Sequence, residues 1–174
     1  MEARAEAEAG ATLLVGFPAV RRQDGSGVGT TVEGTFTESD ETILRLVASS
    51  GPPCQISGSP FFTYSHYAYV EVFNPNGQGA RVEMGVDPAL DQPLDLPLVA
   101  AYTAPPVTEA ERKACLTGAE VSCTGGSAAH ESCLTGSHAP TVPAGGSIWI
   151  YVGNFATADP AVSFVLSAKI LALL

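Results

Sequence analysis

Basic residues are scarce. Lys and Arg total eight against eighteen Asp and Glu, which gives a net charge of −10. Only Arg21 beside Arg22 and Arg112 beside Lys113 place two cations together. A surface that holds nucleic acid or an anionic membrane needs clustered cations to displace counterions, so neither is an expected partner. Long apolar runs are missing as well. No stretch approaches the ~20 residues of a spanning helix, and membrane insertion is not expected. The signatures of catalysis are also absent: there is no Gly-x-Ser-x-Gly elbow, no His-Glu-x-x-His pair and no phosphate-cradling Walker loop. A non-enzymatic chain without a cofactor is therefore expected.

The first residues, MEARAEAEAG, lack the cationic start and apolar core of a signal peptide. They read as a flexible leader over 1–11 ahead of one domain over 12–174, a length that buries an ordinary core without help. Charged residues make up only 15%, whereas Gly (18) and Pro (13) are plentiful. That balance suits short strands joined by turns.

The strand signals run along the chain as follows. TLLVGFPAV (12–20) is an apolar run broken by Gly16 and Pro18, and RRQDGSGVG (21–29) reads as a turn or loop. TTVEGTFTES (30–39) alternates Val32, Gly34 and Phe36 against Thr31, Glu33 and Thr35, the period of a half-buried strand. DETILRLVAS (40–49) puts Leu44 and Leu46 on one face, and residues 49–60 form a Pro-containing loop. FFTYSHYAYVEVF (61–73) and ARVEMGVD flank Asn74-Pro75-Asn76-Gly77. Asn-Gly supplies the positive φ angles of tight turns, so this pair reads as an antiparallel hairpin with Val82, Met84 and Val86 buried. LVAAYTA (98–104) is a further strand, and Thr108-x-x-Glu111 matches the capping box of one short helix near 109–115. The last two strands carry Ile148, Ile150 and Val152, and then Phe164, Leu166, Ala168 and Ile170, on single faces. Many patterned strands without a crossover helix specify an all-β, single-domain antiparallel β-sandwich, jelly-roll-like, with the terminal strand placed centrally.

Three of the four cysteines lie in CLTGAEVSCTGGSAAHESCLTGS (115–137), in which CLTG occurs twice. Zinc favours ligand pairs two to four residues apart, whereas here seven residues separate Cys115 from Cys123 and nine separate Cys123 from Cys133. A Cys/His metal set with His130 fits that rule poorly. A cysteine hydrolase would need Cys123 or Cys133 as a free thiol beside His130 or His138. An even number of cysteines amid loops points instead to two disulfides among Cys54, Cys115, Cys123 and Cys133, hence to an oxidising compartment. Cys54 is distant from the rest, so one bridge is long-range; the connectivity stays open. The CLTG copies read as similar turns in a disulfide-pinned surface loop. His66 reads as a strand residue. Asp87, Asp91 and Asp95 are the remaining calcium candidates, but their four-residue spacing differs from the alternate-residue pattern of an EF-hand loop, and solvated carboxylates suffice.

From Gly34 onward the order of features resembles the secreted bacterial jelly-roll modules of the pre-peptidase C-terminal type. Ala144-Gly145 with the strand of Ile148 and Val152, and Phe164-x-Leu166 in the last strand, occupy the places of that family's two terminal strand motifs. Phe164 stands at the family's final-strand aromatic, and no double Asp follows the central strand. The resemblance implies a non-catalytic, exported or cell-surface module with a binding, adhesion or structural role, and the N-terminal residues read as the start of such an exported chain without its leader. A second expectation is a surface-filament subunit that self-associates by pairing residues 12–20 as an added strand with a neighbour.

Overall fold

Residues 14–17, 20–23, 30–35, 37–44, 46–47, 54–56, 63–89, 94, 97–119, 132–154 and 163–174 are described by a computed structural model. The strands among them are β1 (Leu14–Phe17), β2 (Val20–Gln23), β3 (Thr30–Thr35), β4 (Thr37–Leu44), β5 (Leu46–Val47), β6 (Gln55–Ile56) and β7 (Thr63–Phe73). They continue as β8 (Ala80–Pro88), β9 (Leu98–Tyr102), β10 (Thr117–Ala119), β11 (Ser132–Leu134), β12 (Thr141–Val142), β13 (Ser147–Asn154) and β14 (Ser163–Leu173). One short helix, α1 (Glu109–Lys113), follows β9, and a 3₁₀ turn over Gly136–His138 follows β11.

The alternating sequences place their apolar sets on one side, and the two largest sheets bury those sides together. The first sheet runs β10-β9-β13-β7-β1-β2, with β4 also on β7; the second runs β11-β8-β14-β3, with β12 also on β8; β5 and β6 form a separate ladder. Every pairing among the described strands is antiparallel. Val70, Val72, Ile148, Ile150 and Val152 of the first sheet meet Val82, Met84, Val86, Phe164 and Leu166 of the second in one cluster. Each of these side chains is at most 1% exposed, and burying one contributes roughly 1.5–3 kcal/mol. The all-β sandwich is thus the fold, and β14 sits centrally between β8 and β3 as its pattern indicates.

The expected hairpin is a correction. Strands β7 and β8 do not pair: β7 belongs to the first sheet and β8 to the second. Both edges of β7 are taken, by β13 on one side and by β1 and β4 on the other. Residues 74–79 therefore turn a corner between layers. Asn74 is fully buried there. Its Nδ2 donates to the carbonyls of Gln78 (2.8 Å), Pro143 (3.1 Å) and Val142 (3.2 Å), and its Oδ1 accepts from the backbone N–H of Asn76 at 3.1 Å. Gly77 does not use the left-handed region; among the described glycines only Gly136 (φ 56°) and Gly145 (φ 60°) do.

Three smaller expectations also change. Residues 30–39 are not one strand, because β3 pairs with β14 and β4 with β7, so the chain changes sheet between them. The expected loop at 21–29 begins as a strand, β2, which pairs with β1, and the loop at 49–60 contains β6, which pairs with β5. Edge pairing of this kind needs backbone groups and little apolar patterning.

The Cys-rich stretch is likewise more than a loop. It begins in β10 at the edge of the first sheet and ends in β11 at the edge of the second. These two strands lie against each other and close one side of the sandwich. The two CLTG copies take different conformations. Thr117 and Gly118 are in β10, opposite Ala101 and Ala100, whereas Cys133 and Leu134 are in β11 and Gly136 opens a 3₁₀ turn at positive φ. The same four residues serve two structures because their pairing partners differ.

Candidate functional site

The outer face of the first sheet carries a second, smaller core. β9 is buried at all five positions, so Val99 and Ala101 face the sandwich interior while Leu98, Ala100 and Tyr102 pack on the other side. Cys54, Cys115 and Tyr151 complete that outer cluster, with Tyr67, Tyr69 and Trp149 packed against it. The tyrosine rings of 67, 69 and 151 stand 5.6 Å apart by pairs, Tyr67 and Tyr151 stacked and Tyr67 and Tyr69 edge-on. Such pairs add about 0.5–1.5 kcal/mol beyond their buried area.

Tyr151 fits because position 153 is glycine. A Cβ on Gly153 would sit 2.6 Å from the Tyr151 hydroxyl oxygen and 2.7 Å from Cε1. Gly153→Ala is expected to cost about 1–3 kcal/mol through this overpacking. Calorimetry should show a melting point lowered by about 2–4 °C for each kcal/mol in a domain of this size. An unchanged melting temperature would mean that the ring does not lie over Gly153.

The segment from Tyr102 to Cys115 covers this aromatic face. The bridge Cys54–Cys115, with Cα atoms 5.8 Å apart and a sequence separation of 61, anchors its end, and the Cys54 N–H donates to the Lys113 carbonyl at 2.9 Å. The Tyr102 hydroxyl donates to the Arg112 carbonyl at 3.1 Å, and that of Tyr69 to the Pro106 carbonyl at 3.4 Å. Burial pushes the Tyr102 phenol well above its ordinary range; repulsion from Tyr69 adds to this and Arg112 opposes it. The neutral phenol therefore contributes stability that is complete below the ordinary tyrosine value and is lost as pH rises toward the raised one.

Helix α1 forms where the capping box predicted it. The Thr108 Oγ1 accepts from the Glu111 N–H at 3.2 Å, and Glu111 Oε2 accepts from the N–H groups of Thr108 (2.7 Å) and Val107 (2.9 Å). These bonds hold the Glu111 carboxyl below its ordinary range, the Thr108 backbone N–H most strongly, then that of Val107 and the Thr108 hydroxyl; Arg112 helps slightly. A depressed carboxylate stabilises above its unfolded pKa and ceases to do so as pH falls through the folded value. Thr108→Ala should cost about 1 kcal/mol and speed amide exchange over α1. In wild type the same acceleration should appear only on acidification below the ordinary carboxylate range, so equal exchange rates in both proteins would refute the cap.

Beside α1, Tyr102, Thr103, Ala104, Pro105, Pro106, Glu111 and Ala114 line a shallow cavity of about 160 Å3. Val107 next to it is 72% exposed, the most exposed large apolar side chain among the described residues.

The residues singled out from sequence distribute as follows. Cys54 and Cys115 form the long-range bridge. Cys133, 3% exposed, is also disulfide-bonded, so it cannot serve as the free thiol of a hydrolase. Cys123, His130, Asp91 and Asp95 lie outside the described residues. His66 is in β7, His138 ends the 3₁₀ turn, and Asp87, half-buried, stands opposite Val165 on the outer face of the second sheet. The described residues contain no group of three or more His, Cys, Asp or Glu able to hold a metal ion. No described helix is long and apolar enough to cross a membrane. Two carboxylates went unnoticed in the sequence: Glu71 (6% exposed) accepts from the Ser147 hydroxyl at 2.6 Å, and Glu83 (5%) accepts from that of Thr135 at 2.9 Å. Both sit at outward positions of alternating strands, where the pattern predicts exposure. Compared with protein-family models, with curated proteins and with solved structures, the chain matches none.

Proposed function

We propose that this protein is an exported, non-catalytic β-sandwich module that works outside the reducing cytoplasm, by binding or as a structural part at a cell surface. The bridge Cys54–Cys115 carries the reading, because structural disulfides form in oxidising compartments and are rare in a reducing cytoplasm. The likeness of its terminal strand motifs to pre-peptidase C-terminal modules supports the same assignment by analogy. The hollow beside α1, with Val107 at its rim, is the surface through which binding would run.

Fractionation of the source cells with thiols alkylated at lysis tests the compartment. Oxidised chain outside the cytoplasm supports the proposal, whereas reduced chain confined to the cytoplasm overturns it. Saturable attachment of labelled protein to intact source cells, weakened by Val107→Asp, tests the binding role. Attachment that ignores the substitution would remove the hollow from it. Self-association through residues 12–20 would require β1 to leave β7, with which it pairs in its own chain through Leu14 to Gly16. Light scattering of the protein with and without residues 1–20 decides that point, and a monomer in both cases ends the filament idea.

A further inference from the structure

Asn76 is followed by glycine and sits at the rim of the corner that joins the two layers. Its own Nδ2 donates to Asn74 Oδ1 at 2.6 Å, and its carbonyl accepts from the Gly145 N–H at 3.2 Å. Asn74 is the hub of that corner: besides its side-chain bonds to Gln78, Val142 and Pro143, its backbone N–H donates to the Gly146 carbonyl at 2.9 Å. Gly77 is different in kind. It is exposed, its N–H makes no hydrogen bond among the described residues, and a Cβ on it would meet nothing within 4 Å.

We infer that Asn76 is a site of spontaneous covalent modification, and that its conversion loosens the corner. The backbone nitrogen of Gly77, with no Cβ to shield it and no hydrogen-bond partner among the described residues, attacks the side-chain carbonyl carbon of Asn76 and loses its proton. The new C–N bond closes a five-membered imide as the side-chain nitrogen leaves as ammonia. Water then opens the ring at either carbonyl, giving aspartate or isoaspartate. No electrons change hands, and water is the only co-reactant.

Among the asparagines the sequence makes the site single. Of the three asparagines, Asn74 precedes Pro75, whose nitrogen has no proton to lose, and Asn154 precedes Phe155, where a bulky side chain obstructs the approach. The structure gives the conversion a consequence. A carboxylate at position 76 replaces a donor with an acceptor beside Asn74 Oδ1, so a 2.6 Å attraction becomes a repulsion. The isoaspartate product also inserts a backbone carbon between the corner and β8, whose register starts at Ala80.

The test is to incubate the native protein in mildly alkaline buffer and follow it by peptide mass spectrometry and calorimetry, with a urea-unfolded control. Asn76 should convert to a mixture of aspartate and isoaspartate while Asn74 and Asn154 keep their amides. The converted fraction should melt a few degrees lower, and Asn76→Asp should show a lowered melting point directly. Gly77→Ala should keep the wild-type melting point, since its Cβ meets open space at an ordinary φ, yet slow the conversion several-fold by hindering the attacking nitrogen. The inference fails if native Asn76 stays intact while the unfolded control converts, or if Gly77→Ala converts as fast as wild type. Converted protein that melts unchanged would overturn the role given to the corner.

Discussion

Met84→Asp yields no folded protein. Met84 is fully buried on the inner face of β8, with Leu134 of β11 opposite on one side and Ala168 of β14 on the other. A carboxylate there has no polar partner to compensate it, and desolvating an unpaired charge costs several kcal/mol even after relaxation. The aspartate also leaves unfilled much of the volume the thioether occupied, and large-to-small changes in a core cost a further 2–5 kcal/mol. Together these approach the whole stability of a typical domain, about 5–15 kcal/mol. Met84→Leu, which nearly conserves volume, should cost less than about 1.5 kcal/mol and express normally. Arg81→Asp, at an exposed position of the same strand, should fold as well. Soluble, cooperatively melting Met84→Asp would show that β8 presents its other face to the core.

Which residues face the core was legible because side-chain alternation is a property of one strand. Val82, Met84 and Val86, Ile148, Ile150 and Val152, and Phe164, Leu166, Ala168 and Ile170 are all buried as their spacing indicates. Which strands share hydrogen bonds was less legible, and residues 63–88 show why. A hairpin and a corner between layers impose the same alternation, since in both cases the odd or even residues of each strand meet one core. Asn-Gly at 76–77 favoured the hairpin, but the deciding fact is remote. Asn74 satisfies carbonyls of residues 142 and 143, far along the chain. Helix α1 needed no such remote partner. Its cap is closed by Thr108 and Glu111, three residues apart, so sequence sufficed.

The candidate site was only partly legible for a related reason. Strands covered on both faces lose their alternation and read as continuous apolar runs, as in the Leu98–Tyr102 strand. Such a run could have warned that something lies over the outside of the first sheet. The cover itself, Pro106 through Cys115 held by tyrosine hydroxyls and a bridge to Cys54, comes from two separate parts of the chain. Even cysteine number predicted oxidation, while the choice of Cys54 for Cys115 depends on the fold that brings their Cα atoms to 5.8 Å.

Removing that bridge is the second large effect. Cys54→Ala with Cys115→Ala opens a loop spanning 61 residues, which in the chain-entropy description is worth about 4 kcal/mol. For a domain of this size that corresponds to a melting temperature lower by about 8–16 °C. The loss should be felt first on the outer face, because the two sulfurs pack with Leu98, Ala100, Tyr102 and Tyr151. Hydrogen exchange should accelerate over 103–116 before it does over β8 and β14. Since Cys54 is 2% exposed and Cys115 fully buried, a reductant reaches them only through opening of this cover. Dithiothreitol should therefore act little on the cold native protein and strongly during a thermal scan, lowering the transition at least as far as in the double variant, because the disulfide of Cys133 is reduced as well. A chelator should leave the transition where it is, because the sulfur of Cys115 is bonded to carbon and sulfur alone. The opposite pair of results, unfolding by EDTA with indifference to reductant, would mean that these cysteines hold a metal, and the disulfide, the outer core built on it and the exported role would all fall together.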